Sequence, residues 1–198
     1  MLLLRKPKPE TIRRFLDDQG ELDLSYGSVG ATATELPAGY VVDHTRVQLG
    51  KGEEVFAAAK SALESWQQFR IGWLGAWPAT TPIRQGEVVA LVARSIGLWW
   101  LNACRIVYLI DEELEEKKFG FAYGTLPDHA GAGEERFLIE MDQDESVWYD
   151  ILAFSRPNHV LARIGYPYVR RVQKRFGQHS AVAMQQAVES GLVIEPTD

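Results

Sequence analysis

The chain has 198 residues, a length that suits one domain or one domain with a short appendage. Hydrophobic residues make up 46% of the chain, so we expect a sizeable core. The formal net charge of −6 argues against a nucleic-acid-binding protein, which normally needs a basic face.

The first half of the chain predicts two helices and one firm strand. Residues 8–19 follow the prolines and favour a short helix with an apolar face. The Gly-, Thr- and Ala-rich segment that follows has no regular periodicity up to Gly39. Residues Tyr40–Leu49 predict a strand, and a second helix begins after Gly52, where Glu53 and the next glutamate favour a helix N-terminus.

The second half predicts a run of antiparallel strands. Short apolar segments alternate with turn residues, and short turns allow only antiparallel pairing between neighbouring strands. The acidic segment Asp111–Glu116 is interpreted as one of these turns. The predicted strands are Glu87–Arg94, Leu98–Ile110, Lys117–Thr125, Glu134–Met141 and Val147–Ser155.

The pattern changes to a helical period after Pro157. Apolar residues from Val160 to Val188 recur at helical spacing, and Pro167 either interrupts this helix or marks a fresh start. A long curved sheet needs cover on one face, and a long helix can supply it. We therefore predict an α+β fold in which a curved antiparallel sheet wraps a long C-terminal helix.

This layout resembles the helix-grip fold of START-like and birch-pollen-allergen-like proteins over roughly Tyr40–Val188. The resemblance implies an internal cavity between the sheet and the last helix. It also implies a division into an N-terminal extension packed on the domain (residues 1–39), the helix-grip domain (residues 40–190) and a C-terminal tail (residues 191–198).

A more specific resemblance is carried by short motifs. The stretch YGTLPDHAGAGEERF covers Tyr123–Phe137, AFSRP covers Ala153–Pro157, and SYGSVGAT contains Tyr26. Together they are similar to a bacterial and plant family known as domain of unknown function 1990. That family has no established activity, so the resemblance supports the fold and indicates residues without naming a reaction.

We predict that the protein binds or carries a small, largely apolar or lipid-like ligand in the cavity. The loop within the motif Tyr123–Phe137, which we call the signature loop, supplies Tyr, Thr and His side chains beside aromatic-rich strands. An arginine within an apolar strand forms either an internal ion pair, with Glu134 or Glu140, or a ligand anchor. The candidate ligand contacts are Tyr26, Arg105, Tyr123, Thr125, His129 and Arg136.

Two other functions stay open at this stage. An enzyme of the cyclase or hydrolase kind would use His129 as acid or base with Glu134 or Glu135, whereas a structural His129 would cap the turn. An interaction or membrane-surface protein would use the basic run Arg170–Arg175, although a solvated helix face is more common.

Cofactors and metals are not predicted. The single cysteine, Cys104, excludes an internal disulfide and a cysteine metal cluster, and a reducing cytoplasmic location is the expectation. The four histidines are scattered without the HxH or HExxH spacing that a metal site needs.

Overall fold

The computed structural model describes residues 1–113, 116–158 and 164–192. Within them, three α-helices form, α1 (Pro9–Gly20), α2 (Glu53–Glu64) and α3 (Tyr166–Leu192), together with 3-10 turns at Ala31–Ala33 and Gln67–Phe69. The strands are β1 (Leu2–Leu3), β2 (Val41–Lys51), β3 (Leu74–Trp77), β4 (Val88–Ser95), β5 (Leu98–Glu113), β6 (Lys117–Thr125), β7 (Gly131–Met141) and β8 (Ser146–Pro157).

The strands form one eight-stranded antiparallel sheet in the order β2-β8-β7-β6-β5-β4-β3, and β1 pairs with β5. Consecutive strands from β3 to β8 are neighbours because their connections are short. Two strands join out of sequence order, β2 beside β8 and the short β1 beside β5. The sheet curls into a half-barrel that holds α3, which confirms the predicted α+β arrangement.

The inner face of the sheet packs against α2 and α3. Alternate residues of β6 and β7, among them Phe121 and Phe137, point to this side, as the period of two along a strand dictates. Phe69 and Phe176 from the helical layer close over them, with ring centroids 5.5 Å and 6.4 Å from the Phe137 ring. These aromatic side chains fill much of the space between the sheet and α3.

The outer face is covered by the N-terminal part of the chain. Ile12 and Phe15 of α1 pack against a second apolar cluster that contains Leu101 of β5. Farther along the sheet, the segment between α1 and β2 lies over β7 and β8 through the 3-10 turn Ala31–Ala33. The predicted division between an N-terminal extension and the domain at residue 39 stays a prediction. The predicted tail from residue 191 also stays a prediction, and its residues 193–198 lie outside the described residues.

Several predicted boundaries differ from the structure; β7, for example, begins at Gly131 and not at Glu134. The interpretation of Asp111–Glu116 as a turn is wrong at its start, because β5 continues to Glu113. Acidic residues of β5 lie opposite lysines of β6, as in the pair Glu113 and Lys117, and opposite charges across strands stabilise the ladder. The predicted helix start near Val160 lies outside the described residues, and Pro167 occupies the first turn of α3, where proline is tolerated.

Candidate functional site

A cleft of about 460 Å³ opens between the first half of α3 and the strands β2, β7 and β8. We call it the α3 cleft. Its walls carry Ile151 and Phe176 as apolar surfaces and Asp43, Glu135 and Arg170 as charged groups. It therefore combines apolar and polar surface in a volume of the size that small-molecule sites have.

Tyr123 and Glu135 form a hydrogen-bonded pair at this cleft. They lie directly opposite each other on β6 and β7, and the Tyr123 hydroxyl donates to Glu135 Oε2 at 2.5 Å. The Tyr123 ring is fixed by neighbouring rings, since Phe69 stacks on it and Phe137 lies 5.4 Å away between centroids. Among the described residues, Glu135 Oε1 has no hydrogen-bond partner.

The surroundings of this pair alter its proton equilibria. Burial raises the pKa of the Glu135 carboxyl, the hydrogen bond from Tyr123 opposes this shift, and the nearby Asp43 carboxylate adds to it, so that the pKa is about 7. Burial also raises the pKa of Tyr123 well above its ordinary value, so its hydroxyl keeps its proton. At neutral pH, Glu135 is thus present in both protonation states.

Polar contacts tie α3 to the sheet at the mouth of the cleft. The Arg170 guanidinium donates hydrogen bonds to both oxygens of Asp43, with Nη2 2.6 Å from Oδ1. Gln173 donates from Nε2 to Ser155 Oγ at 2.8 Å. Gly177 allows the close approach of helix and strand, because a Cβ there would lie 2.6 Å from Thr45 Oγ1. The geometry of the cleft is therefore set by side chains from α3, β2 and β8.

The residue before Glu135 faces the opposite side of the sheet. Glu134 accepts hydrogen bonds from the Tyr26 hydroxyl at 2.7 Å and from the backbone N–H of Gly30 at 2.7 Å, both on Oε2. Its Oε1 accepts from the backbone N–H of Thr32 at 2.9 Å and from the Thr32 hydroxyl at 2.5 Å. This carboxylate holds the N-terminal segment on the outer face.

The six residues predicted to contact a ligand do not line one cavity. Tyr26 and Arg136 lie on the outer face, where Arg136 pairs with Asp150 at 2.9 Å. Arg105 donates to the carbonyls of Gly20 and Leu22, and so places a cation at the C-terminus of α1. Neither of its expected ion pairs, with Glu134 or Glu140, is formed.

Two more of the six, Thr125 and His129, lie at the end of the β6–β7 hairpin. The Thr125 hydroxyl accepts from the Gly133 N–H at 2.9 Å and lies 2.6 Å from Ser25 Oγ. Tyr123 is therefore the one member of the predicted set whose hydroxyl contacts a group of the α3 cleft. Ligand contact by the other five stays a prediction.

The predicted pairing of His129 with Glu134 or Glu135 is not formed among the described residues, so an acid–base role for His129 stays a prediction. The half-buried imidazole accepts from the Gly131 N–H through Nδ1 at 3.0 Å, and both glutamates are engaged by the partners described above. Burial lowers the pKa of His129 to about 4, so the ring is neutral at physiological pH. Its contacts within the described residues match the turn-capping interpretation.

The basic run on α3 is partly engaged. Arg170 binds Asp43, and the Arg175 guanidinium lies 5.2 Å from the Trp73 ring centroid. Arg171 and Lys174 remain on the exposed side of the helix. A membrane-surface or interaction role for this run stays a prediction.

Sequence reasoning assigned Glu135 only as a partner for His129 and left Asp43 out. A signal for Glu135 is present in the sequence. It shares the period of Phe137, Ile139 and Met141, so the alternation places a carboxylate on the apolar face of β7. The contact of Asp43 with Arg170 spans 127 positions, and local patterns carry no signal for it.

A larger groove of about 620 Å³ lies on the outer face between α1 and the segment after β3. Its charged side chains Arg13, Asp17 and Glu21 are exposed to solvent. The smaller α3 cleft is the better candidate because it contains a carboxyl whose proton equilibrium is perturbed and whose geometry is fixed.

A curled antiparallel sheet that grips a long C-terminal helix defines the helix-grip class, and solved structures of this class match the chain. The aromatase/cyclase ZhuI from Streptomyces sp. R1128 matches with a TM-score of 0.53 and 8% identity, over 80% of this chain and 99% of that one. Ara h 8.0201 matches with a TM-score of 0.50 and 10% identity, over 77% and 99%. These identities show the fold alone.

The chain belongs to the family described as domain of unknown function DUF1990, whose profile matches residues 25–183. A UPF0548 protein of Dictyostelium discoideum is 36% identical over 96% of this chain and 97% of its own length. A UPF0548 protein of Deinococcus radiodurans is 37% identical over 91% and 96%. The helix-grip fold and the family resemblance predicted from the sequence are thereby confirmed.

In the part of the chain that the structure describes, none of the helices combines the length and the apolar character needed to cross a bilayer.

Proposed function

We propose that the protein binds a small, largely apolar ligand in the α3 cleft, with the Tyr123–Glu135 pair as its polar anchor. The observation that carries this proposal is the free oxygen of Glu135, a half-buried acceptor held in place at the cleft by a buried tyrosine. A carboxylate oxygen that is open to a cleft and has no protein partner keeps its capacity to accept a hydrogen bond from a ligand or from water.

The walls of the cleft support a ligand with an apolar body and one polar group. Ile151 and Phe176 offer apolar surface beside the carboxyl. Both oxygens of Asp43 accept hydrogen bonds from Arg170. The open oxygen of Glu135 is therefore the carboxyl oxygen that remains for a ligand hydroxyl or amine. A hydrogen bond at this position orients the ligand, while apolar contact supplies most of the affinity.

The first test is mass spectrometry of the purified protein under native conditions and again after organic extraction. The proposal predicts a reproducible small molecule that is released on extraction, and the E135A variant should lose it. If the wild-type protein carries none, titration with the neutral fluorophore 1-aminoanthracene tests the empty cleft directly.

A matched pair of variants locates the bound molecule. Gln178 and Val182 are both exposed residues of α3, but only Gln178 lies at the cleft. Q178W should cover part of the cleft and weaken binding of 1-aminoanthracene about tenfold, the effect of roughly 1.4 kcal/mol, whereas V182W should leave it unchanged. Equal binding by both variants would remove the α3 cleft as the site.

A further inference from the structure

We infer that the α3 cleft transfers protons, with Glu135 as the group that takes a proton from a bound carbon acid and returns it. This inference rests on the proposed ligand binding and adds an activity to it. The substrate class is a small carbon acid, meaning a molecule with a C–H bond next to a carbonyl or comparable electron-withdrawing group.

The geometry around Glu135 meets the requirements of a general base. One oxygen is fixed by the Tyr123 hydroxyl at 2.5 Å, and the other lies at the cleft without a partner among the described residues. The carboxyl stands on the central part of β7, which is paired on both sides by β6 and β8. A rigid strand therefore holds the free oxygen in a constant position, as a base that must meet one C–H bond requires.

The charges around the carboxyl preserve its basicity. Arg170 contacts Asp43 on both oxygens, so its charge is directed to that partner and away from Glu135. A carboxylate that is partly desolvated and lacks a bound cation accepts a proton more readily than an exposed one. The titratable or charged groups that surround it are Asp43 of β2, Cys104 of β5, Tyr123 of β6, Tyr149 of β8, and Arg170 and Lys174 of α3.

The proposed step balances without a further reactant. The C–H bond of the substrate breaks, its proton moves to Glu135 Oε1, and the electron pair moves onto the neighbouring carbonyl oxygen as an enolate. In a substrate whose C–H carbon also adjoins a C=C bond, this enolate is a dienolate, and the same carboxyl returns the proton to its far carbon, so that the net reaction moves the double bond into conjugation with the carbonyl. The pKa of about 7 places the carboxyl close to working pH, where such a group both accepts and donates protons.

The test uses 5-nitrobenzisoxazole, a flat carbon acid whose reaction needs only a base. Transfer of its C3–H proton to the carboxylate breaks the N–O bond and releases a coloured cyanophenolate. We expect the wild-type protein to accelerate this elimination with saturation, and the rate to rise with pH through about 7. E135Q should lower the rate about 100-fold, the usual contribution of a positioned base, while D111N, which alters an exposed carboxylate, should leave it unchanged.

The Y123F variant tests whether Glu135 acts as the base or has only a structural role. The hydrogen bond from Tyr123 favours the charged form of Glu135, so its removal should move the midpoint of the pH–rate profile upward. Circular dichroism confirms that both variants are folded. A wild-type rate equal to that of E135Q, with 1-aminoanthracene still bound, would overturn proton transfer and leave ligand binding standing. Absence of both probe binding and elimination would overturn the two together.

Discussion

Glu134 and Glu135 are consecutive residues of β7 whose side chains lie on opposite faces of the sheet. Glu134 faces the outer side, is 2% exposed, and accepts four hydrogen bonds, two on each oxygen. Glu135 faces the inner side, where one oxygen accepts a single bond from Tyr123 and the other meets the α3 cleft. The same side chain thus serves as an anchor for the chain on one face and as an open acceptor on the other.

The difference shows that hydrogen-bond saturation distinguishes the two roles better than burial or residue type. A carboxylate with all its partners inside the protein has no capacity left for a ligand, and its removal affects folding. A carboxylate with an open oxygen contributes less to stability and retains the capacity to bind or to exchange protons.

The largest effect should come from E134Q. An amide nitrogen in place of either oxygen would put a donor against the donors of Tyr26 and Gly30 or against those of Thr32. We expect a loss of about 3 kcal/mol in the free energy of unfolding, since charge-assisted bonds are lost and donors are left unpaired. Urea denaturation measures it, and hydrogen exchange at Gly30 and Thr32 should accelerate. E135Q at pH 6 is the matched control and should change stability by less than about 1 kcal/mol; equal losses would end the distinction between the two faces.

The next effect should come from G124A, which tests how the outer segment is seated. The ring and hydroxyl of Tyr26 occupy the position that a Cβ at residue 124 would take. Displacing Tyr26 from Glu134 should lower the free energy of unfolding by about 2 kcal/mol. Gly75 provides the control, because a Cβ there meets no atom within 4 Å and G75A should remain close to wild type in thermal melting. A G124A protein as stable as G75A would contradict the seating of Tyr26.

A smaller effect should appear in the pH dependence of stability. The pKa of Glu135 is raised on folding from 4.5 to about 7, so its contribution is fully present below pH 4.5 and is lost as pH rises through 7. Because the carboxyl is partly open to solvent, we expect a loss on the order of 1.5 kcal/mol between pH 5 and pH 8. His129 acts in the opposite direction, since its pKa is lowered and its contribution is lost as pH falls through about 4.

The wild-type profile minus the E135Q profile isolates the glutamate, because His129 is common to both proteins. Urea denaturation at each pH gives the two profiles. The difference should grow steadily across this interval in favour of E135Q. If the difference in the free energy of unfolding stayed constant across this pH range, the pKa of Glu135 would not be raised on folding. The proposed electrostatic difference between Glu135 and Glu134 would then be wrong.

The smallest effect should come from R105A. The guanidinium donates to the carbonyls of Gly20 and Leu22 at 2.6 Å and 2.9 Å, where it also meets the negative end of the α1 dipole. Its removal should lower the free energy of unfolding by about 1 kcal/mol and leave binding at the α3 cleft intact. R84A removes an exposed arginine paired with Glu87 and should cost less than about 0.5 kcal/mol. Loss of 1-aminoanthracene binding in R105A would instead revive its role as a ligand anchor.

Much of the fold could be predicted from the sequence because its signals are local. Period-two alternation located β2 and β4 to β8 within a few residues, and helical spacing located α1 and α2. Strand polarity followed from short connections, and the long last helix followed from its apolar spacing. The site could be predicted only in part. The signature loop directed attention to Tyr123 and its neighbours, yet it gave no means of assigning each side chain to a face once the N-terminal segment covered the outside.

The sequence by itself determined the α+β class, the antiparallel order from β4 to β8, and the presence of a carboxylate on an apolar face of β7. Only the tertiary structure decided that Tyr26 binds Glu134, that Arg105 caps α1, and that Arg170 binds Asp43. The physical reason is that periodicity reflects contacts between residues a few positions apart. Hydrogen bonds between residues 85 to 127 positions apart depend instead on how the layers pack.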